Sequence, residues 1–149
     1  MTKTNPLIGF FRTIMLLLAG RVIFCKASVG EVFTMEDGLE FKVFRHVIIR
    51  SKNMDTTNPQ AEFRIRFLLK NMTFEQNKKF SRIPMMVFMG FHGFRSKYWM
   101  VHEETGLCQG IYEWDTLQDA EGYSKSIALR FITNRSVQGS VNYEIIEKH

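Results

Sequence analysis

The chain has 149 residues, 45% apolar and 23% charged, with 20 basic against 15 acidic side chains and a net charge of +5. That length suits one compact domain, and those fractions exclude wholesale disorder, collagen-like repeats and a multi-span membrane protein. The surplus base is concentrated in residues 1–35, at +3, while residues 61–149 carry only +2, too diffuse for a nucleic-acid footprint.

Residues 6–24 are the most apolar stretch, interrupted by Arg12 and Arg21. The uncharged run between them, Thr13 to Gly20, is far shorter than the roughly 20 residues a spanning helix needs. Arg12 also falls where a secretory signal would be apolar. The segment reads as a helical arm, residues 1–28, packed on the body of the protein. Its basic residues and Phe10–Phe11 keep peripheral contact with an anionic membrane as an alternative.

Residues 29–149 read as a single α+β domain. A hairpin comes first, over residues 29–50. Val32–Met35 leads through Glu36-Asp37-Gly38 into Leu39–Ile49, and Asp-Gly between β-rich runs is a strong turn signal because glycine tolerates positive φ. Residues 51–60 are a polar loop containing Pro59. Phe63, Ile65, Phe67 and Leu69 then alternate with Arg64 and Arg66 as a strand. Thr73 caps a helix to Ile83, and Pro84 ends or kinks it. Met85–Phe91 continues as an apolar segment. Arg95–His102 and Leu107–Trp114 form two strands around a Glu103–Gly106 turn. Asp115 or Thr116 opens a helix to about Arg135, with Thr116 to Asp119 resembling a capping box. Leu117, Ala120, Tyr123, Ile127, Ala128 and Phe131 make its apolar stripe. Val141–Ile146 is the last strand.

Residues 61–146 thus run β-α-β-β-α-β, the order of a ferredoxin-like antiparallel sheet with both helices on one face. The other face needs a cover, because Tyr98-Trp99-Met100-Val101 is apolar on both sides. A partner subunit's sheet would make a homodimer. The 29–50 hairpin could instead cover or extend the same sheet. Cys25 and Cys108 form no disulfide framework and have no metal-ligand spacing around them, which suits a reducing cytoplasm.

Gly93-Phe94, Lys97-Tyr98-Trp99, Thr105-Gly106, Gly110-Ile111-Tyr112 and Ala120-x-x-Tyr123 together resemble the YdhR-type monooxygenase family, relatives of the antibiotic-biosynthesis monooxygenases. The resemblance covers roughly residues 61–146. It implies a dimeric α/β barrel and a ligand cavity between sheet and helices. It also implies oxygenation of hydroxyaromatic substrates without flavin or metal. One branch of the wider group degrades haem with an Asn, a Trp and a His, of which Trp99 offers the Trp.

The Glu103–Gly106 turn sets a register on its own terms. Trp99 faces Gly110, Lys97 faces Tyr112, and Arg95 faces Trp114, all on one side of the sheet. That side gathers the candidate site. Lys97 and Tyr112 would orient a hydroxyl or stabilise a phenolate, and Trp99 and Trp114 would supply stacking surface. Tyr123 and Arg130, two helical turns apart, share a face that could roof the pocket. His92 is the best histidine for acid–base work, and Met86, with Met85 and Met89, suits an adaptable apolar wall. Each has a plainer reading. The indoles and methionines equally suit core packing. Lys97 and Tyr112 suit a cation–π pair, and Arg130 a solvated charge near a helix end.

Three functions fit these residues. The first is a cofactor-independent monooxygenase acting on a hydroxyaromatic or similar apolar molecule. The second is a non-catalytic dimeric barrel that binds such a ligand. The third is a haem-binding or haem-degrading protein. No phosphate loop, zinc motif or nucleophile elbow is present to suggest others.

Overall fold

The computed structural model describes residues 5–50 and 58–148. Helix α1 (Pro6–Leu18) leads into β1 (Val22–Phe24), a short 3-10 turn at Lys26–Ser28, β2 (Val32–Thr34) and β3 (Glu40–Ile49). Then come β4 (Ala61–Phe67), α2 (Phe74–Phe80), α3 (Arg82–Phe88), β5 (Phe94–Val101), β6 (Cys108–Trp114), α4 (Leu117–Ser124), α5 (Ile127–Asn134) and β7 (Asn142–Glu147). The sheet runs β1-β3-β5-β6-β4-β7, antiparallel throughout, with β2 also pairing on β3. Its β5-β6-β4-β7 part is the ferredoxin-like unit, built as β4-α2α3-β5-β6-α4α5-β7. Most of the polar 51–60 loop lies outside the described residues.

Alternation drives the central strands. In β4, Ala61, Phe63, Ile65 and Phe67 are buried while Glu62, Arg64 and Arg66 are only partly covered. The buried set joins Phe88, Trp99, Tyr112, Trp114, Tyr123, Leu129 and Ile132 in the main core, between sheet and helices.

Each of the two long helices expected from the sequence is instead a pair. Thr73 caps α2 with a reciprocal box, its hydroxyl accepting from Gln76 N while Gln76 Oε1 accepts from Thr73 N. The break comes at Ser81, before Pro84. Pro84 sits in the first turn of α3, where a missing N–H costs nothing. The later helix breaks at Lys125, and Ser126 caps α5 by accepting from Leu129 N at 3.3 Å. That interruption shifts the phase. Leu129 and Ile132 are buried, whereas Ile127, expected in the stripe, is 56% exposed.

The second face of the sheet is covered in part by this chain's own hairpin. The β2–β3 unit extends the sheet beside β5, and its tip folds back across the strands. Phe41, Val43, Met100 and Ile111 form a second buried cluster there, edged by Phe33, Met35 and Tyr98. The tip reaches β4 through ion pairs: Glu36 with Arg64 at 3.0 Å, and Asp37 with Arg66. Arg66 also donates to Gln109 Oε1 at 2.8 Å and lies 4.8 Å over the Phe41 ring.

The N-terminal arm packs on α3. A Cβ added at Gly90 would lie 1.9 Å from the Gly9 carbonyl oxygen, and one added at Gly9 would lie 2.5 Å from the Val87 oxygen. Thr13 is fully buried at this contact, its hydroxyl donating to Gly9 O at 2.9 Å. Gly90→Ala forces two backbones apart. It should lower stability by about 1–3 kcal/mol, and limited proteolysis should then cut within α1 before the sheet is attacked.

Candidate functional site

Pairing of β5 with β6 places the candidate residues. Trp99 pairs with Gly110 and Lys97 with Tyr112, as the turn predicts. Arg95 does not face Trp114. A register irregularity between Phe94 and Ser96 puts Phe94 opposite Trp114, and Arg95 instead ion-pairs with Asp115. A bulge adds one residue to one strand, so a strict two-residue period fails there.

Lys97 is buried on the helix side of the sheet. Gly110 makes room for its stem, since a Cβ at Gly110 would lie 3.0 Å from Lys97 Cε. The Lys97 Nζ lies 2.6 Å from Tyr112 Oη, and Tyr112 Oη lies 2.7 Å from Tyr123 Oη. Three rings surround the amine: Tyr112 at 4.2 Å, Trp99 at 4.5 Å and Phe88 at 4.8 Å to their centroids. Among the described residues no carboxylate pairs with it.

Burial without a counter-charge holds the Lys97 amine well below its usual range, and the positive Arg45 guanidinium nearby adds to this. Burial also drives Tyr112 and Tyr123 upward, so both stay as phenols. Lys97, Tyr112 and Tyr123 therefore form a hydrogen-bonded chain in which burial favours the neutral form of each group. The ring faces around Nζ can still hold the ammonium when it forms.

A cavity of about 20 Å³ adjoins Lys97. Among the residues lining it are Trp99, Gly110, Phe44, Asn77, Phe80 and Cys108. This is room for one water-sized guest. Burial pushes the Cys108 thiol up to about 11, and Asn77 Nδ2 lies 3.1 Å from its Sγ. Arg45 closes the outside: it donates to Ser81 Oγ at 2.8 Å and to the Lys78 carbonyl at 2.7 Å, with its guanidinium 5.1 Å over Trp99. This ties β3 to the corner between α2 and α3. Cys108 follows from the period of two along β6. Asn77 and Arg45 do not follow from the sequence, because helix phase and hairpin placement decide them.

The other predicted site residues disperse. Trp114 is buried in the core beside Phe94 and Tyr123, its indole N–H without a partner among the described residues, and it does not line the cavity. Tyr123 is buried, but Arg130 is exposed and shares no face with it. The break at Lys125 cancels the seven-residue spacing. Met86 is half-buried against the core on α3. His92 lies elsewhere, in a separate depression of about 430 Å³ behind α1, lined also by Arg12, Met15, Phe91 and Phe94. Its Nδ1 lies 3.0 Å from Asp119 Oδ1, and Thr116 donates to the other carboxylate oxygen at 2.8 Å. Asp119 thus accepts from the cap it was expected to complete.

No histidine is placed to hold a haem at the Lys97 site. The cavity is water-sized, and none of His46, His92 and His102 lines it. His46 stacks on Tyr98 on the far face of the sheet, and His102 Nδ1 donates to Glu40 O at 2.9 Å beside the turn.

No protein-family model matches the sequence, and no curated protein matches it. Solved structures do. A monooxygenase-like protein from Listeria innocua superposes with a TM-score of 0.57 at 14% identity, over 77% of this chain and 67% of that one. A ferredoxin-fold protein related to antibiotic biosynthesis monooxygenases, from Listeria monocytogenes, gives 0.59 at 16%, over 91% and 87%. A heme-degrading enzyme from Listeria monocytogenes gives 0.54 at 16%, over 91% and 92%.

The state of Lys97 is open to measurement. Its folded-state pKa lies below the ordinary 10.5, so between those two values the unfolded chain binds more protons than the folded one. Stability then rises with pH through that window and levels off above it. Lys97→Met removes this term. In thermal melts, the wild type should gain on the variant as pH climbs toward 10.5, and a pH-independent difference would mean an ordinary lysine. By its architecture, the chain is a ferredoxin-like α+β protein of the kind found in monooxygenase-like and antibiotic-biosynthesis-monooxygenase-related structures.

Proposed function

We propose that the chain is a cofactor-independent monooxygenase of hydroxyaromatic compounds, with Lys97 as its base. One observation carries this reading: a buried amine, with no carboxylate partner among the described residues, beside a cavity of about 20 Å³ with room for a water-sized molecule such as dioxygen. The class of the solved fold neighbours supports it.

In this reading the substrate carries a methylene made acidic by a hydroxyaromatic ketone, as in an anthrone. Uncharged Lys97 takes a proton from that carbon. The aromatic rings and the exclusion of water hold the resulting ammonium next to the carbanion. The Tyr112 hydroxyl, backed by Tyr123, donates to the oxygen on which the negative charge collects. The carbanion passes one electron to dioxygen, and the two radicals combine as a peroxide. Loss of water, with the Lys97 proton returned, leaves a carbonyl. The balance is one methylene and one dioxygen to one carbonyl and one water.

The aromatic ring needs more space than the closed cavity offers. Arg45 holds the rim shut through Ser81 and Lys78, so the corner between α2 and α3 lifts to admit it. Trp99 then forms the wall on which the ring stacks. His92 has no part in this step.

The test is oxygen uptake with 1,8-dihydroxyanthrone, with the quinone followed by absorbance. Uptake should rise with pH as Lys97 loses its proton. Lys97→Met should lower the rate by about 100-fold or more, and an undiminished rate in that variant rejects Lys97 as the base. Thermal stabilisation by the anthrone without any uptake points instead to a ligand-binding barrel, the reading favoured by the tight mutual packing of Trp99, Tyr112 and Phe88.

A further inference from the structure

Helix α1 carries its large apolar residues on the wrong side for a helix packed on a protein. Its inner face is Gly9 and Thr13, both buried, with Leu16 partly covered. The close approach to Gly90 admits only small side chains there. Leu7, Phe11, Met15 and Leu18 recur at the spacing of one helical stripe on the opposite side. They are 72%, 69%, 66% and 80% exposed, and Phe10 and Leu17 flank them, also exposed.

Charge decides what such a face meets. Residues 1–30 contain Lys3, Arg12, Arg21 and Lys26 and no Asp or Glu. Arg12 is exposed beside the stripe, and Arg21 follows the last turn with its Nε donating to the Arg50 carbonyl at 2.9 Å. Two copies meeting face to face would bring these cations together. A surface of phospholipid phosphates pairs with them instead. The 13 residues of α1 reach only about 20 Å at 1.5 Å each, short of the roughly 30 Å hydrocarbon core. No helix among the described residues is long and apolar enough to cross a membrane. A helix of this kind lies in the interface with its long axis along the surface.

We propose that α1 docks the protein on an anionic phospholipid bilayer. The Leu7-Phe11-Met15-Leu18 stripe enters the acyl boundary, and Arg12 and Arg21 sit among the headgroups. This does not depend on the role of Lys97.

The experiment is co-sedimentation of the full chain with phosphatidylcholine vesicles, with and without phosphatidylglycerol, alongside light scattering. The wild type should pellet with the phosphatidylglycerol vesicles, and added salt should release it. Phe11→Glu and Leu18→Glu should each weaken that binding by about tenfold or more. Both sites are exposed, so the melting temperature should hold. Arg12→Gln should weaken binding by about fivefold on the anionic vesicles alone. Failure to pellet, equal pelleting with both vesicle types, or undiminished binding by Phe11→Glu overturns the proposal. A wild-type dimer that Phe11→Glu or Leu18→Glu splits into monomers overturns it as well, because the stripe then belongs to a second copy of the chain.

Discussion

The interior depends on one cross-strand pair, Lys97 opposite Tyr112, with Gly110 beside it leaving room for the lysine stem. A lysine normally runs its charge out to water. Here the strand points it under two helix pairs, where its hydrogen-bond partner is a phenol, Tyr112. Among the described residues no carboxylate answers the lysine, and burial holds its pKa well below the usual lysine range. Around that pair the aromatic residues pack edge to face, with Phe63, Phe88, Tyr112 and Tyr123 at ring separations between 4.8 and 5.9 Å. Polar chemistry and apolar packing therefore occupy the same few residues, and neither can be altered alone.

The hairpin shows how a sheet with two apolar faces manages without being symmetric. Its strands extend the sheet at one edge, and its tip brings two acids to two arginines of β4. Those arginines occupy the positions that alternate with the core residues of the same strand. The period that builds one core thus also builds the latch for the second. Arg45, from the same hairpin, reaches the other way and pins the corner between α2 and α3. One appended element thereby ties down both faces of the ferredoxin-like unit.

Much of this was legible in the residues. The Glu103–Gly106 turn is short and polar, so the pairs Trp99–Gly110 and Lys97–Tyr112 follow from counting outward. The count fails at Arg95, where a bulge intervenes that carries no local signature. From residue 29 onward the order of strands was readable because most strands alternate or are bounded by turn residues, whereas β1 (Val22–Phe24) lies inside the segment expected to be a helical arm. The break at Lys125 is not legible, and the one near Pro84 is legible only in its approximate place. Ser126 is a good cap, but it lies within an apolar pattern that continues on either side. Pro84 signals an end or a kink, and the interruption falls three residues earlier, at Ser81, because a proline is at home in a first turn. The break at Lys125 sends Arg130 to the surface. The separation of His92 from Lys97 depends on long-range packing of α1, which no local pattern encodes.

The contact between Gly9 and Gly90 also has a consequence for the order of events during synthesis. Helix α1 emerges first, but the surface it packs against is made last among its neighbours, when Gly90 leaves the ribosome. At about 5–20 residues per second, the arm waits on the order of 5–15 seconds with both its small face and its large apolar face bare. During that interval the nascent chain presents a short, basic, apolar segment to whatever is nearby. Any factor or surface that receives it then meets the protein before its sheet exists.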